Sequence, residues 1–117
     1  MFQHYENYPQ YKYSFIDHVE LRDGNGHNTG NVFAVNSNGY LGPVCDDRWT
    51  DVAATVVCKQ LGFSTGLAHW DSFFGRVPSD FAMDDVLCTG EEDTIQECDY
   101  TCNDDCSAGE GAGVECS

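Results

Sequence analysis

Cys45-Asp46-Asp47-Arg48-Trp49 sets two adjacent carboxylates between a cysteine and an Arg-Trp pair. Carboxylates are hard oxygen donors. Held beside a third acid, they would make a site for a divalent cation of the Ca2+ kind rather than for Zn2+, which prefers nitrogen and sulfur. Three carboxylates brought together repel one another, and a bound cation relieves that repulsion. The alternative is structural: Asp46 or Asp47 caps a turn or pairs with Arg48. Cys45 is read as the staple that fastens this turn to the C-terminal part of the chain, where Cys88, Cys98, Cys102, Cys106 and Cys116 are concentrated. Asp84-Asp85 precede Cys88 in a similar way. With Asn103, Asp104 and Asp105 they are weaker candidates, better read as solvated acidic loops.

The cysteines bound the chemistry further. Cys98, Cys102 and Cys106 follow a Cys-x3-Cys-x3-Cys spacing, no Cys-x2-Cys pair exists, and no histidine lies near the cluster, so zinc is disfavoured. Disulfides in an oxidising compartment are the expected state. Seven cysteines are an odd number, so three bridges leave one thiol, free or paired between chains. His4, His18, His27 and His69 are scattered and form no nucleophile or metal motif, and no enzymatic activity is expected.

The 117 residues carry 20 acidic side chains against five basic ones (Lys12, Arg22, Arg48, Lys59 and Arg76), a net charge of −15. This disfavours nucleic acid and anionic membranes and favours cations or cationic partners. No apolar run is long enough to span a bilayer, so membrane insertion is not expected. The N-terminus lacks the basic and apolar regions of a signal peptide, so an exported protein would be represented here by a mature segment. No Asn-x-Ser/Thr sequon is present.

The elements that must position these residues are short. Residues 1–18 are rich in Tyr and contain no cysteine; they read as a linker or tail, with Tyr11, Tyr13 and Phe15 as an alternative edge strand. A first strand is expected at 19–22 and a second at 31–35, with a hairpin turn at Asn38-Gly39 and a return over 40–45. The loop 23–30 lacks the glycine and the closing Glu of an EF-hand. Thr50 is an N-cap, and Ala53, Ala54, Val57, Cys58 and Leu61 repeat at helical spacing, giving a helix over about 51–61 that ends before Gly62. Residues 63–83 read as loop with short extended pieces; Trp70, Phe73, Phe74 and Phe81 are expected to be core. A strand at 83–88, a short helical turn within 91–98 and a strand at 113–116 follow.

Four segments carry a resemblance. Val44-Cys45-Asp46-Asp47-Arg48-Trp49, Val56-Val57-Cys58-Lys59-Gln60-Leu61-Gly62, Asp84-Asp85-Val86-Leu87-Cys88-Thr89-Gly90-Glu91-Glu92 and Ala112-Gly113-Val114-Glu115-Cys116 resemble, in order, the signatures of scavenger receptor cysteine-rich (SRCR) domains. The resemblance covers about 19–117. It implies an α+β fold, a curved antiparallel sheet cradling one helix, stapled by Cys45–Cys106, Cys58–Cys116 and Cys88–Cys98. Phe63 stands where an eight-cysteine subgroup has cysteine, so the chain is similar to the six-cysteine subgroup, with Cys102 as an extra thiol, free or interchain. The resemblance further implies Ca2+ ligation by Asp46, Asp47 and Glu110. It implies an extracellular location, secreted or within the ectodomain of a membrane protein, and recognition of a protein or microbial-surface ligand. The alternative function is a structural or oligomerising module of a larger protein, forming a homodimer through Cys102.

Overall fold

The computed structural model describes residues 16–101 and 105–117. The aromatic stretch ahead of Ile16 and Cys102 lie outside the described residues. The elements run β1 (Ile16–Asp23), β2 (Thr29–Asn36), β3 (Leu41–Pro43), α1 (Asp51–Gln60), β4 (Gly66–His69), β5 (Asp84–Leu87), a 3-10 turn (Ile95–Glu97), β6 (Asp99–Thr101) and β7 (Gly113–Cys116). The main sheet has the order β1-β2-β7-β4, with β3 also paired to β2, and every pairing is antiparallel. A separate ribbon joins β5 and β6.

β2 explains why the domain has two apolar layers. Seven of its eight residues are buried, and strand alternation sends successive side chains to opposite faces. Val32 and Ala34 enter the larger cluster on the α1 side, with Val114, Trp49 and the helix residues Ala53, Ala54, Val56, Val57 and Cys58. Phe33 enters a smaller cluster with Cys45, Val77, Phe81 and Cys106. A strand buried on both faces needs cover on both faces, and the chain between β4 and β5 provides the second cover.

α1 is delimited as its sequence requires. Thr50 accepts a hydrogen bond from the Ala53 amide at 3.4 Å, Leu61 is the C-cap, and Gly62 follows with φ +97°. The helix packs on β4 and β7. At Gly66 an added Cβ would collide with the Cys58 sulfur and the Ala54 carbonyl, so this close approach requires glycine. α1 also covers the outer edge of β4. The Thr55 hydroxyl pairs with Gly66 N–H and C=O at 3.3 and 3.2 Å, and Asp51 Oδ1 accepts from Ala68 N at 2.8 Å. An edge that would otherwise template pairing with another chain is thereby satisfied internally.

Several local expectations change. β1 starts at Ile16 rather than Val19, with an irregularity between Ile16 and His18. The return after Gly39 leaves regular pairing at Pro43, which has no amide to donate. Val44 and Cys45 then make single bridges to Met83 and Gly111. Residues 63–83 contain β4, and β6 follows the 3-10 turn. The expected core aromatics divide: Phe81 is fully buried, whereas Trp70 and Phe73 are 47% and 63% exposed. Alternation and aromatic content could not separate them, because their fate is set by a turn at 71–74 held through Ser72 by Gly111 and Ala108.

Candidate metal centre

Cys45 lies at the crossing of three chain segments. Its amide donates to Met83 O at 2.9 Å, and its disulfide reaches Cys106 with a Cα–Cα distance of 6.2 Å. Cys58–Cys116 and Cys88–Cys98 are also disulfides, with Cα–Cα distances of 5.4 and 4.7 Å. Immediately after Cys45, Asp46 N donates to Glu110 O at 2.9 Å, while Trp49 N closes a turn onto Asp46 O at 3.0 Å. Glu110 closes its own turn, its amide donating to Ser107 O at 2.9 Å while its Oε1 accepts from Ser107 N at 2.6 Å. Two tight turns are thus laced together by a backbone bond and a disulfide, with the acids on both.

The outcome is convergence: one carboxylate oxygen from each of Asp46, Asp47 and Glu110 lies within 4.8 Å of the others. Asp46 is further oriented by the Asp71 amide, which donates to its Oδ2 at 2.8 Å. Arg48 has φ +66°, its side chain is exposed, and among the described residues no ion pair joins it to these acids. Burial pushes the Asp46 carboxyl above its ordinary value; the Asp71 amide opposes this, and the charges of Asp71, Glu110 and Asp47 add to it. Asp47 is raised by burial first, then by the charges of Glu110, Asp105 and Asp85.

Two other groupings of potential ligands are weaker on chemical grounds. Cys45, Asp47, Asp84 and Cys106 lie together, and so do Cys88, Glu92 and Cys98. In each, the sulfurs are tied in disulfides and cannot act as thiolates. The first therefore retains two carboxylates. The second retains Glu92, whose oxygens already accept from Thr89 N, Thr89 Oγ1 and Gly90 N. The Asp46-Asp47-Glu110 group alone among these three keeps three oxygen donors. An all-carboxylate set at a partly open turn fits a hard cation that completes its shell with water or ligand oxygen.

A family model described as the scavenger receptor cysteine-rich domain matches residues 22–117. The chain belongs to the SRCR family. A scavenger receptor cysteine-rich domain superfamily protein of Patiria pectinifera is 39% identical over 101 residues, covering 84% of this chain and 9% of that protein. Lysyl oxidase homolog 2 of Mus musculus is 40% identical over 101 residues, 85% of this chain and 13% of the relative. The chain therefore spans about a tenth of these relatives' length. The third SRCR domain of murine neurotrypsin superposes with a TM-score of 0.77 at 37% identity, covering 84% of this chain and 94% of that one. The dimeric form of the mouse MARCO SRCR domain gives 0.71 at 35% identity, covering 83% and 94%. SRCR domains are extracellular ligand-binding modules as a class. Among the described residues no helix is long and apolar enough to cross a membrane.

Sequence reasoning named all three converging acids, the third only through the family resemblance. It missed Asp71, whose backbone amide orients Asp46 from 25 residues away with no local signal of that approach. Asp105, named only among the weaker acidic candidates, sits beside Cys106, and its charge acts on Asp47.

Proposed function

We propose that this chain is an extracellular recognition module that holds Ca2+ at Asp46, Asp47 and Glu110 and engages a protein or microbial-surface ligand there. The convergence of three carboxylate oxygens within 4.8 Å on two laced turns carries the reading. A cation at this turn would neutralise the mutual repulsion of the acids and offer open coordination positions to an anionic group of a ligand. The acids supply the charge; Cys45–Cys106, the Asp46–Glu110 backbone bond and the Asp71 amide supply the positioning. The lysyl oxidase activity that a relative's name states is not carried over, since the match spans a small part of that relative. Calorimetric titration of Ca2+ into the native domain and into Asp47→Ala tests the site. Heat in the native protein and its loss in the variant is the expected result. No heat in either ends the proposal.

The second reading is an oligomerising module. Six of the seven cysteines are joined in pairs, which makes Cys102, outside the described residues, the odd cysteine of the chain, and the MARCO neighbour is described as dimeric. A disulfide-linked dimer would run at twice the monomer mass on a non-reducing gel. Monomer mobility under both conditions would remove this reading.

A further inference from the structure

The exposed aromatics of the 70–74 segment lie outside the candidate metal centre, and neither the fold nor that site needs their apolar surface. Phe73 is 63% exposed, Leu67 56% and Trp70 47%, well beyond the scattered single apolar residues of an ordinary surface. Leu67 and Phe73 are joined through His69 rather than scattered. Leu67 and His69 alternate with buried Ala68 on β4, so they point to the sheet face opposite α1. The Phe73 ring stacks on His69 at 4.2 Å and meets Phe74 edge-on at 5.0 Å.

These rings are also held in place. Trp70 donates its indole N–H to Trp49 O at 2.8 Å. Asp71 and Ser72 both sit at left-handed φ, +58° and +50°, which ordinary residues adopt at a cost. Backbone and hydroxyl bonds lock them: Ser72 N to Gly111 O at 3.0 Å, Ser72 Oγ to Ala108 O at 2.7 Å, and Gly111 N to Ser72 Oγ at 2.9 Å. An ordered aromatic surface loses little side-chain freedom on binding, which is the usual property of interface anchors.

The rim of this surface is acidic. Glu115 pairs across from Leu67 and lies 3.3 Å from His69 Nε2. Asp71 and Asp46 border the turn on the other side, joined by the Asp71 amide bond. Arg76 lies beside Gly109. With a net charge of −15, this acidic rim favours a cationic occupant over an anionic membrane or the acidic surface of a second copy.

We propose that Leu67, His69 and Phe73 form a docking shelf for a cationic protein segment in which Arg or Lys alternates with apolar side chains. The apolar side chains of such a segment cover Phe73 and Leu67. Its cationic groups stack on the exposed ring faces and pair with Glu115 and Asp71. This goes beyond Ca2+ recognition at the neighbouring turn and does not require the ion.

The test is calorimetry in chelator at about 0.15 M salt, with three short peptides as probes: alternating Arg and Leu, Lys alone, and alternating Glu and Leu. Binding of the Arg-Leu peptide is expected, with the Lys peptide at least about tenfold weaker and no binding of the Glu-Leu peptide. Phe73→Ser and, independently, Leu67→Ser are expected to weaken Arg-Leu binding about tenfold, while Leu87→Ser, at an exposed apolar site on β5, leaves it unchanged. Equal affinity for the Lys peptide, or unchanged affinity in both shelf variants, overturns the shelf. Equal weakening by Leu87→Ser overturns it as well. Asp47→Asn separates the two sites: loss of Ca2+ heat with retained peptide binding supports the shelf, and loss of peptide binding with it assigns the peptide to the metal turn and overturns the shelf.

Discussion

Three Asp-Asp dipeptides in this chain lie close to a disulfide cysteine, and the two that are described in full, Asp46-Asp47 and Asp84-Asp85, have opposite characters. Asp46-Asp47 sits on a half-exposed turn laced to Glu110, so its carboxylates meet a third one at a solvent-open surface. Asp84 opens β5, is 1% exposed and accepts from Asp85 N at 2.7 Å. Burial, against that amide bond and reinforced by the charges of Asp85, Asp47 and Asp105, pushes its carboxyl up to about 6. The comparison shows that adjacent acids make a candidate metal site only where the backbone brings a third acid and leaves room for water. Where the strand buries the first acid instead, its carboxyl keeps its proton to a higher pH.

The largest effect that would break this contrast is removal of the staple under the first pair. Cys45–Cys106 spans 61 residues and Cys88–Cys98 spans 10. Loop-closure entropy puts their loss at about 4 and about 3 kcal/mol respectively. The double variant Cys45→Ala/Cys106→Ala is expected to show the larger drop in urea midpoint and to lose Ca2+ heat with all three acids intact. Cys88→Ala/Cys98→Ala is expected to lose stability but to keep Ca2+ heat wherever it remains folded. Retained heat without the Cys45 staple would show that the backbone lacing suffices.

Substituting the acids comes next. Asp47→Asn is expected to weaken Ca2+ binding by at least about tenfold, roughly 1.4 kcal/mol, whereas Asp85→Asn changes it by less than about twofold. Calorimetry on the two variants checks the asymmetry; equal losses would mean that the ion bridges both pairs through Asp47.

Much of the scaffold was legible because local signals and tertiary structure agree. The Thr50 cap, the spacing of Ala53, Ala54, Val57 and Cys58, and Gly62 define α1 to within a residue. Asn38-Gly39 marks the hairpin, with Gly39 at φ +85° and its amide donating to Asn36 O. The divided fate of the aromatics was not legible. Phe81 and Phe73 are identical in propensity, and what separates them is the pair of left-handed residues Asp71 and Ser72, held by groups on Gly111 and Ala108. Sequence ranked Asp84 below Asp46 but read it as part of a solvated acidic loop; it is instead 1% exposed at the start of β5, because what covers each Asp-Asp pair is set by distant segments.

A third test titrates the second pair. An Asp84 carboxyl raised from 3.8 to about 6 takes up a proton on folding between those values. Stability associated with this group is therefore complete below pH 3.8, falls as pH rises through about 6, and stays lost above it. Asp84→Asn mimics the protonated form and can still accept from Asp85 N. In chelator the variant is expected to be at least as stable as the native domain at pH 7, with the native domain gaining relative to it on acidification to about pH 4. Urea unfolding at the two pH values reads this. A variant less stable at pH 7 would mean that the charged form has a stabilising partner.

The smallest effect separates burial from charge at the first pair. Asp71 influences Asp46 in two opposed ways: its amide bond favours the charged carboxylate, and its side-chain charge disfavours it, while burial outweighs both. Asp71→Gly keeps the amide, removes the charge and suits the left-handed φ of +58°. Relief of backbone strain is expected to offset the added freedom of the unfolded chain, leaving stability within about 1 kcal/mol of native. The pH at which Ca2+ affinity falls on acidification is expected to move down only slightly, because the leading cause of the raised Asp46 value is untouched. A large downward movement, read from calorimetry over a pH series, would make charge rather than burial the dominant control. The two Asp-Asp pairs would then differ in their neighbours' charge more than in their cover.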